Sequence, residues 1–278
     1  MPELPEVETT RRGIAPHLVG RRLTGWQVRN AALRWPVVLP ELLRGQPVID
    51  VGRRAKYLLI GLPAGALIVH LGMSGSLRVL PAGTPPLKHD HVDLEFDSGS
   101  LLRFNDPRRF GSIHYQPAAA PAHRLLAHLG IEPLSDAFTG VWLKQAARRR
   151  RLPVKSLLMD ARVVVGVGNI YANEALFLAG IRPTQAAHRV TLAAYERLAE
   201  AVRQVLGAAI EMGGTTLRDF VNQDGQPGYF RQSLYVYGRD GLPCKRCGTT
   251  LKGLRIGQRA TVFCPNCQRA QGNTQRRC

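Results

Sequence analysis

Four cysteines near the end of the chain have the spacing of a metal site. They form two pairs, CKRC at 244–247 and CPNC at 264–267, with sixteen residues between the pairs. Two disulfides would require an oxidising compartment, whereas paired thiolates on two tight turns typically hold one Zn²⁺ in tetrahedral coordination. Because the protein supplies all four ligands, the spacing predicts one structural zinc and no zinc-activated water. The predicted ligands are Cys244, Cys247, Cys264 and Cys267.

The segment between the two cysteine pairs predicts a β-hairpin with a basic surface. It has the sequence TTLKGLRIGQRATVF at 249–263 and contains Lys252, Arg255 and Arg259. A small hairpin held by metal fits a DNA groove, but the same charges also suit a solvent-exposed face. For any one of the three residues, the sequence favours neither interpretation. Cys278, at the end of the chain, is predicted to have no role.

A Gly-x-Gly-Asn turn occurs in VVVGVGNIYANEAL at 163–176, ahead of a helical pattern. Its glycines allow the backbone to approach a ligand closely, and the first amides of a helix attract anions. The patterns on both sides are helical, which favours helices that contact DNA phosphate over a dinucleotide site. RRRRLPVK at 148–155 lies just upstream, and its arginine run favours phosphate contact over a merely solvated face.

Two glycine-rich turns carry bulky apolar residues close to arginines. HLGMSGSLR at 70–78 contains Met73, and NDPRRFGS at 105–112 contains Arg108 and Phe110. Apolar side chains at the tips of such turns can enter a base stack and fill a gap in it. Ordinary core packing of Met73 and Phe110 is the competing interpretation, and the chemistry of these residues alone slightly favours it.

The composition indicates a polyanionic partner. The 278 residues include 38 Lys and Arg against 20 Asp and Glu, a formal net charge of +18. Nucleic acid is favoured over an anionic membrane, because no basic amphipathic helix with a broad apolar face is visible. LLIGLPAGALIVHLGM at 58–73 is interrupted by Gly and Pro, so no membrane span is predicted. A cytoplasmic protein with reduced cysteines is expected.

These residues require two kinds of scaffold. Before about residue 120, short apolar runs separated by Gly, Pro and Asp-Ser-Gly turns predict a sandwich or barrel, preceded by a helix from Glu6 to His17. The predicted strands are 23–30, 56–62, 66–72, 76–80, 91–99 and 100–106. Beyond about 122, apolar residues recur every three or four positions, which predicts helices. These are 134–147, 151–161, 173–181 and 191–213, followed by a Gly- and Pro-rich loop at 222–232.

Several short motifs, taken in order along the chain, resemble the bacterial formamidopyrimidine-DNA glycosylase family. The motifs are MPELPEVE at the start, RRAKYLL (53–59), HLGMSGSL (70–77), KHDHVDL (88–94), DPRRFG (106–111), VGVGNIYANE (165–174), GGTTLRDF (213–220) and QRATVFCPNC. The resemblance extends over nearly the whole chain without large gaps. It implies an α+β multidomain fold with three domains. They are an N-terminal β-sandwich with flanking helices at 1–121, a helix–two-turn–helix domain at 122–232, and a C-terminal β-hairpin zinc finger at 233–278.

The resemblance implies a bifunctional DNA glycosylase and AP lyase that removes oxidised purines such as 8-oxoguanine. The nucleophile would be the amine of Pro2, freed by removal of Met1; an α-amine has a pKa of about 7.7–8.0 against about 10.4 for lysine. Glu3 would be the acid/base carboxylate, Lys56 the proton donor in β-elimination, and Arg259 the δ-elimination residue. Glu6 also matches the motif, although a role as a first-turn helix acid is at least as well supported.

The resemblance also implies a DNA-binding surface. The matching DNA contacts are His70, His89, Arg108, Arg150 and Asn169. Met73, Arg108 and Phe110 match the residues that fill the gap left by the extruded nucleotide, with Arg108 facing the orphaned cytosine. The segment 213–230 resembles a lid over the extruded base. Its candidate residues are Thr215, Thr216 and Tyr229.

Two other functions compete with this one. An endonuclease VIII-like enzyme shares the Pro-Glu start but prefers oxidised pyrimidines; MPELPEVE and PRRFG favour the purine enzyme. A non-catalytic zinc-ribbon DNA-binding protein would explain the charge and the zinc, but not the Pro-Glu start with Lys56 and Arg259. The expected partner is double-stranded DNA containing oxidised purines, with no membrane, bound by a monomer in the bacterial cytoplasm at the nucleoid.

Overall fold

The computed structural model describes residues 2–214 and 233–269. The chain divides into two compact units, Met1–Ala127 with Ala209–Arg231, and His128–Ala208 with Gln232–Cys278. The helical region and the cysteine hairpin therefore fall in the same unit. The predicted division at 121 and 232 stays a prediction. No helix formed by the described residues is long and apolar enough to cross a membrane.

The first unit is built from two antiparallel four-stranded sheets and one long helix. Helix α1 (Leu4–Leu18) precedes the strands. One sheet has the order β1-β6-β7-β5 and the other β2-β3-β4-β8. The strands are β1 (Leu23–Val28), β2 (Asp50–Arg54), β3 (Tyr57–Leu62), β4 (Gly65–His70), β5 (Ser76–Pro81), β6 (Asp90–Phe96), β7 (Ser100–Asn105) and β8 (Ser112–Pro117).

The two sheets and α1 share one apolar core, which is the arrangement of a β-sandwich. Leu58 and Val69 of the second sheet and Leu94 and Phe104 of the first are all buried in this core. Helix α1 adds Val7, Ile14 and Leu18, which the spacing of a helix places on one face. The predicted sandwich is confirmed.

The second unit contains the helices and the hairpin. The helices are α2 (Gly140–Ala147), α3 (Val154–Leu158), α4 (Asn169–Leu178) and α5 (Leu192–Glu211), of which α5 ends in the first unit. The hairpin consists of β9 (Lys252–Ile256) and β10 (Arg259–Phe263). Single 3₁₀ turns occur at Glu41–Leu43 and Ala187–Arg189. An apolar cluster joins the helices to the hairpin through Phe177, Leu251 and Val262.

Several predicted boundaries are wrong. The predicted helix 134–147 begins only at Gly140, because Thr139 caps it by accepting the backbone N–H of Trp142 through its hydroxyl. Helix α1 begins at Leu4 rather than Glu6. Strands β2 and β8 have no predicted counterpart, since DVGRR and SIHYQP lack a clear apolar alternation.

Candidate active site and nucleic-acid interface

The N-terminus is buried and held in a defined geometry. Pro2 is buried, and Glu3 is the N-cap residue of α1. The Glu3 side chain accepts the backbone N–H of Glu6, and Oε2 of Glu6 accepts the backbone N–H of Glu3 at 2.8 Å. This reciprocal capping box fixes the backbone on the carboxyl side of Pro2. Glu6, with 0% of its surface exposed, thus has the first-turn role that the sequence left open.

Gly214 lies against Glu6. A Cβ at position 214 would lie 3.1 Å from Cγ of Glu6, and the backbone there has a φ of +86°. Glycine suits both the tight approach and the left-handed conformation. The chain therefore passes the capping box at the point where the predicted lid segment begins. Thr215, Thr216 and Tyr229 lie outside the described residues.

Lys56 and His70 are brought together by the pairing of two strands. Lys56 lies in the two-residue turn between β2 and β3, beside Ala55, whose φ is +55°. Tyr57, the next residue, pairs with His70 at the end of β4, and the centroids of their rings are 4.8 Å apart. The cation of Lys56 is one of the charges that lower the pKa of His70.

His70 is a neutral imidazole in this environment. Burial first, and then the charges of Lys56 and Arg34, lower the pKa of His70 to about 4. Nδ1 of His70 accepts the backbone N–H of Gly72 at 3.0 Å, which places the ring proton on Nε2. The ring can therefore donate one hydrogen bond, as a phosphate contact requires, without carrying a charge.

Sequence reasoning missed Arg34. Its charge also acts on Tyr57, and its guanidinium carbon lies 4.6 Å from the centroid of the Trp35 ring. The side chain thus adds a second cation beside His70. It lies in RNAALRW at 29–35, which contains no recognisable motif, so only its position next to an aromatic residue could have singled it out.

The two turns predicted to enter the base stack lie side by side. Phe110 is 43% exposed and Arg108 is exposed, with the guanidinium carbon of Arg108 5.1 Å from the centroid of the Phe110 ring. Met73 is half-buried in the other turn. A Cβ at Gly72 would overlap the backbone of Phe110 and Gly111, so the two turns make backbone contact.

His89 borders the same turns. It is half-buried, and its backbone oxygen accepts the N–H of Asp106 at 3.0 Å. The neighbouring His91 is buried, and its Nε2 lies 2.9 Å from the backbone oxygen of Asp106. The first unit therefore contains Pro2, Glu3, Lys56, His70, Met73, His89, Arg108 and Phe110.

A second cluster occurs in the other unit, around the start of β10. Nδ2 of Asn169, the first residue of α4, donates to the backbone oxygen of Ala260 at 3.1 Å. Nζ of Lys155 donates to the same oxygen at 3.0 Å and to Oγ1 of Thr261 at 2.8 Å. These bonds hold the strand on which Arg259 is exposed. Lys155 was not singled out in the sequence, since one lysine beside four arginines carries no signal of burial.

Arg150 is engaged by an acidic neighbour. Its Nη1 lies 2.9 Å from Oδ2 of Asp160, and 36% of the Arg150 side chain is exposed. Hydrogen bonding to Arg162 is the largest of several contacts, including one to Arg150, that lower the pKa of Asp160 to about 2. A phosphate at this position would share the Arg150 guanidinium with Asp160.

The four predicted zinc ligands converge. Their sulfur atoms all lie within 4.8 Å of one another, and the pairs Cys247–Cys264 and Cys247–Cys267 are 3.5 Å apart. Tetrahedral zinc with bonds of about 2.3 Å requires sulfurs roughly 3.8 Å apart, so the set fits Zn²⁺. Burial, and then hydrogen bonds with neighbouring thiols, raise the pKa of Cys267 to about 12. A bound Zn²⁺ would offset this, because a metal ion stabilises the thiolates that coordinate it.

Hydrogen bonds from outside the cysteine set orient the cysteine turns. The Gln268 side chain accepts the backbone N–H of Cys264 and donates to the backbone oxygen of Ile181, both at 2.9 Å. The backbone N–H of Val262 donates to Oδ1 of Asn173 at 3.0 Å. The zinc turns are therefore continuous with the helical scaffold, and the metal stabilises the hairpin that carries Arg259.

Three family models match the chain. They are the formamidopyrimidine-DNA glycosylase N-terminal domain over residues 1–113, the formamidopyrimidine-DNA glycosylase H2TH domain over 129–221, and a zinc finger found in FPG and IleRS over 241–270. The last match and the converging cysteines establish one structural zinc.

Curated relatives and solved structures agree with these models. Formamidopyrimidine-DNA glycosylases of Stenotrophomonas maltophilia and Hahella chejuensis are 61% and 58% identical, each over 97% of this chain and 100% of its own length. The crystal structure of MutM (FPG) from Thermus thermophilus is 40% identical, with a TM-score of 0.86, over 98% of this chain and 100% of its own. Lactococcus lactis Fpg in complex with DNA containing an abasic site is 29% identical, with a TM-score of 0.87, over 96% and 99%.

The three family models match successive parts of this chain, and the relatives match it over their full length. The chain belongs to the formamidopyrimidine-DNA glycosylase family and is a DNA glycosylase of base excision repair.

Proposed function

We propose that the protein excises oxidised purines from duplex DNA with the amine of Pro2 as nucleophile, and then cleaves the strand by β- and δ-elimination. The observation that carries this proposal is the buried Pro2–Glu3 start, held by the reciprocal bonds between Glu3 and Glu6. A flexible terminus would have to be ordered in each turnover, whereas this one is already positioned.

The chemistry begins with the free amine. The nitrogen of Pro2 attacks C1′ of the damaged nucleotide, the bond to the base breaks, and the base leaves with a proton. The Pro2 nitrogen then loses its proton and the C1′–O4′ bond of the sugar breaks, with O4′ taking up a proton, which leaves a cationic iminium between the nitrogen and C1′. This cation favours loss of a proton from C2′ and departure of the 3′ phosphate. Glu3 is the acid/base group adjacent to the amine. Lys56 supplies a proton in β-elimination, and Arg259 assists δ-elimination.

The DNA contacts divide between the two units. In the first, Lys56 and the neutral His70 together offer a cation and a hydrogen-bond donor to one phosphate, with Arg34 beside them. In the second, Asn169 and Arg259 lie on adjacent elements. His89 and Arg150 are proposed as further backbone contacts. Thr215, Thr216 and Tyr229 are proposed as part of the lid over the extruded base.

Met73, Arg108 and Phe110 are proposed to fill the gap in the base stack, with Arg108 facing the orphaned cytosine. The exposure of Phe110 and Arg108 favours this role over core packing. Two solved structures of one relative support the substrate class: Lactococcus lactis Fpg was crystallised as a point mutant with DNA containing Fapy-dG, and also with DNA containing an abasic site.

Borohydride trapping tests the proposal. The chain that begins at Pro2 should become covalently attached to duplex DNA containing 8-oxoguanine opposite cytosine. Two matched forms, Pro2→Gly and a chain with one extra residue before Pro2, should trap weakly or not at all. An untrapped wild-type chain with an intact Pro2 terminus would reject the mechanism.

Lesion choice separates this function from the endonuclease VIII-like alternative. We expect 8-oxoguanine opposite cytosine to be removed far faster than thymine glycol, and the opposite order would reject the purine assignment. The bacterial relatives support a cytoplasmic, nucleoid-associated protein. The expected monomer stays a prediction, which light scattering of the purified chain tests.

A further inference from the structure

A buried carboxyl group joins the two turns that carry Met73, Arg108 and Phe110. Asp106 has 0% of its surface exposed. Its Oδ1 accepts the hydroxyl of Ser74 at 2.7 Å, and its Oδ2 accepts the backbone N–H of Gly111 at 2.7 Å. One side chain thus binds the residue after Met73 and the residue after Phe110.

Ser74 extends this connection to Arg108. Its Oγ donates to Asp106 and accepts the backbone N–H of Arg108 at 3.2 Å. The backbone oxygen of Asp106 accepts the N–H of Arg109 at 3.2 Å, and Arg109 has a φ of +56°. A non-glycine residue in that conformation is strained, so the surrounding bonds must hold it.

Asp106 also forms hydrogen bonds with the segment that contains His89 and His91. The backbone N–H of Asp106 donates to the oxygen of His89, and Nε2 of His91 contacts the oxygen of Asp106. Asp106 and Ser74 are 32 positions apart in the sequence, so no local motif contains this arrangement. Neither side chain is accessible to DNA, since Ser74 is also buried.

We infer that Asp106 and Ser74 are positioning residues that hold the base-stack wedge and the orphan-base contact in one rigid arrangement before DNA binds. The inference rests on the proposed role of Met73, Arg108 and Phe110. Opening a base step is unfavourable, and a turn that became ordered only on insertion would add its own ordering cost. Hydrogen bonds already made within the free protein remove that second cost.

The readout must distinguish positioning from general stability. A ratio of two rates measured on one protein sample does not depend on the fraction that is folded. The first ratio compares removal of 8-oxoguanine opposite cytosine with its removal opposite adenine, since Arg108 is proposed to face the base opposite the lesion. The second compares duplex excision with borohydride trapping on a single-stranded abasic site, which needs Pro2 but no wedge.

Three variants test the inference: Ser74→Ala, Asp106→Ala and Asp106→Asn, with Asp97→Asn as the matched control. Asp97 is an exposed carboxylate in the same unit that accepts the backbone N–H of Arg22. Ser74→Ala removes both hydrogen bonds of the Ser74 hydroxyl and should lower both ratios at least about fivefold, the change expected for the loss of even one such bond. Asp106→Ala should lower them further, and Asp106→Asn less than Asp106→Ala, because an amide oxygen can still accept from Gly111.

Ratios in Ser74→Ala and folded Asp106→Ala that stay within about twofold of the wild type would overturn the inference, because one lost hydrogen bond should exceed that change. If Asp106→Ala does not fold, Ser74→Ala decides alone. Trapping on the single-stranded abasic site should persist in every folded variant. Its loss in the wild type would count against the Pro2 mechanism instead, so the two failures are distinguishable.

Discussion

The ammonium group of Lys155 donates a hydrogen bond to the backbone oxygen of Ala260, with 3.0 Å between Nζ and the oxygen. Only 1% of Lys155 is exposed, and Ala260 directly follows Arg259. A buried cation is costly unless polar groups surround it. Here its acceptors belong to the strand that carries a proposed catalytic side chain, so the geometry of Arg259 depends on a residue far from it in sequence.

Replacing Lys155 with Met should therefore disturb the elimination step. Hydrogen bonds from a charged donor contribute about 1.5–3 kcal/mol each, and their loss loosens the start of β10. Lys155→Met removes both bonds of the ammonium group to β10, so we expect the ratio of δ- to β-elimination products to fall at least about tenfold, the change that one such bond implies. The ratio is measured on denaturing gels with DNA that already contains an abasic site.

Lys144→Met is the matched control. Nζ of Lys144 also donates to two backbone oxygens, those of His188 and Val190 at 3.2 and 2.7 Å, in the same unit. This variant should lose stability but keep the wild-type product ratio. An equal change in the two variants would show that the effect is one of general stability.

Removing one zinc ligand should release the zinc and weaken the binding of the hairpin to DNA. Cys247→Ser leaves three thiolates, and a closed structural site depends on all four ligands. We expect zinc content well below one ion per chain by atomic absorption, and affinity for lesion DNA at least about tenfold weaker, since zinc contributes folding free energy to such modules. Cys278→Ser should retain both zinc and affinity; full activity of Cys247→Ser without zinc would contradict the structural role.

The free energy of unfolding should decrease as the pH is lowered, partly because of His70. Its pKa is about 4 in the folded chain, mainly because it is buried, against about 6.5 when unfolded. Between these values the unfolded chain binds more protons, so the contribution is complete above about pH 6.5 and is lost as the pH falls towards about 4. Protonation would also break the bond from Gly72 to Nδ1.

His70→Gln should accordingly flatten this pH dependence, measured by urea unfolding between about pH 7 and about pH 4.5, the window in which the two forms differ in bound protons. Burial also lowers the pKa values of His114 and His123, so part of the slope should remain. An unchanged slope in His70→Gln would show that His70 is not the group responsible. Binding of DNA should shift the His70 titration upwards in NMR spectra, because a nearby phosphate favours the imidazolium.

Salt dependence should report the proposed phosphate contact of Arg259. Each phosphate neutralised releases counterions, so Arg259→Gln should reduce the slope of log affinity against log salt by about one. Arg44→Gln is the control, because exposed Arg44 already pairs with Glu41 at 2.9 Å. A slope equal to that of the wild type in Arg259→Gln would exclude a direct phosphate contact.

The sequence predicted the elements whose side chains alternate or repeat regularly. Strands β3 to β7 and helices α3 to α5 were all located, because burial of one face imposes a period on the chain. Strand β2 was missed because it packs only Val51 into the core while three of its five residues are half-buried, including Arg53 and Arg54. Its pairing with β3, rather than its composition, makes it a strand.

The candidate site, like the fold, could be predicted from the sequence only where a local pattern marks the residues. Motifs were sufficient to identify the four cysteine ligands, and they single out Pro2 and Glu3, whose catalytic roles stay predictions. Sequence could not reveal that Lys155 is buried beneath β10, or that Ser74 and Asp106 meet across two turns. Such contacts join residues far apart in the chain, and neither partner carries a local pattern that depends on the other.

The turn between β9 and β10 has only two residues, Gly257 and Gln258, with φ values of +51° and +65°. Both positive angles are typical of a type I′ turn, whose twist matches that of the paired strands. Because successive side chains of a strand point to opposite faces, inserting one residue here would move Arg259 to the other side of the ribbon. The length of this turn is therefore under tighter constraint than its composition: Gln258→Gly should be tolerated, whereas a single-residue insertion should abolish δ-elimination.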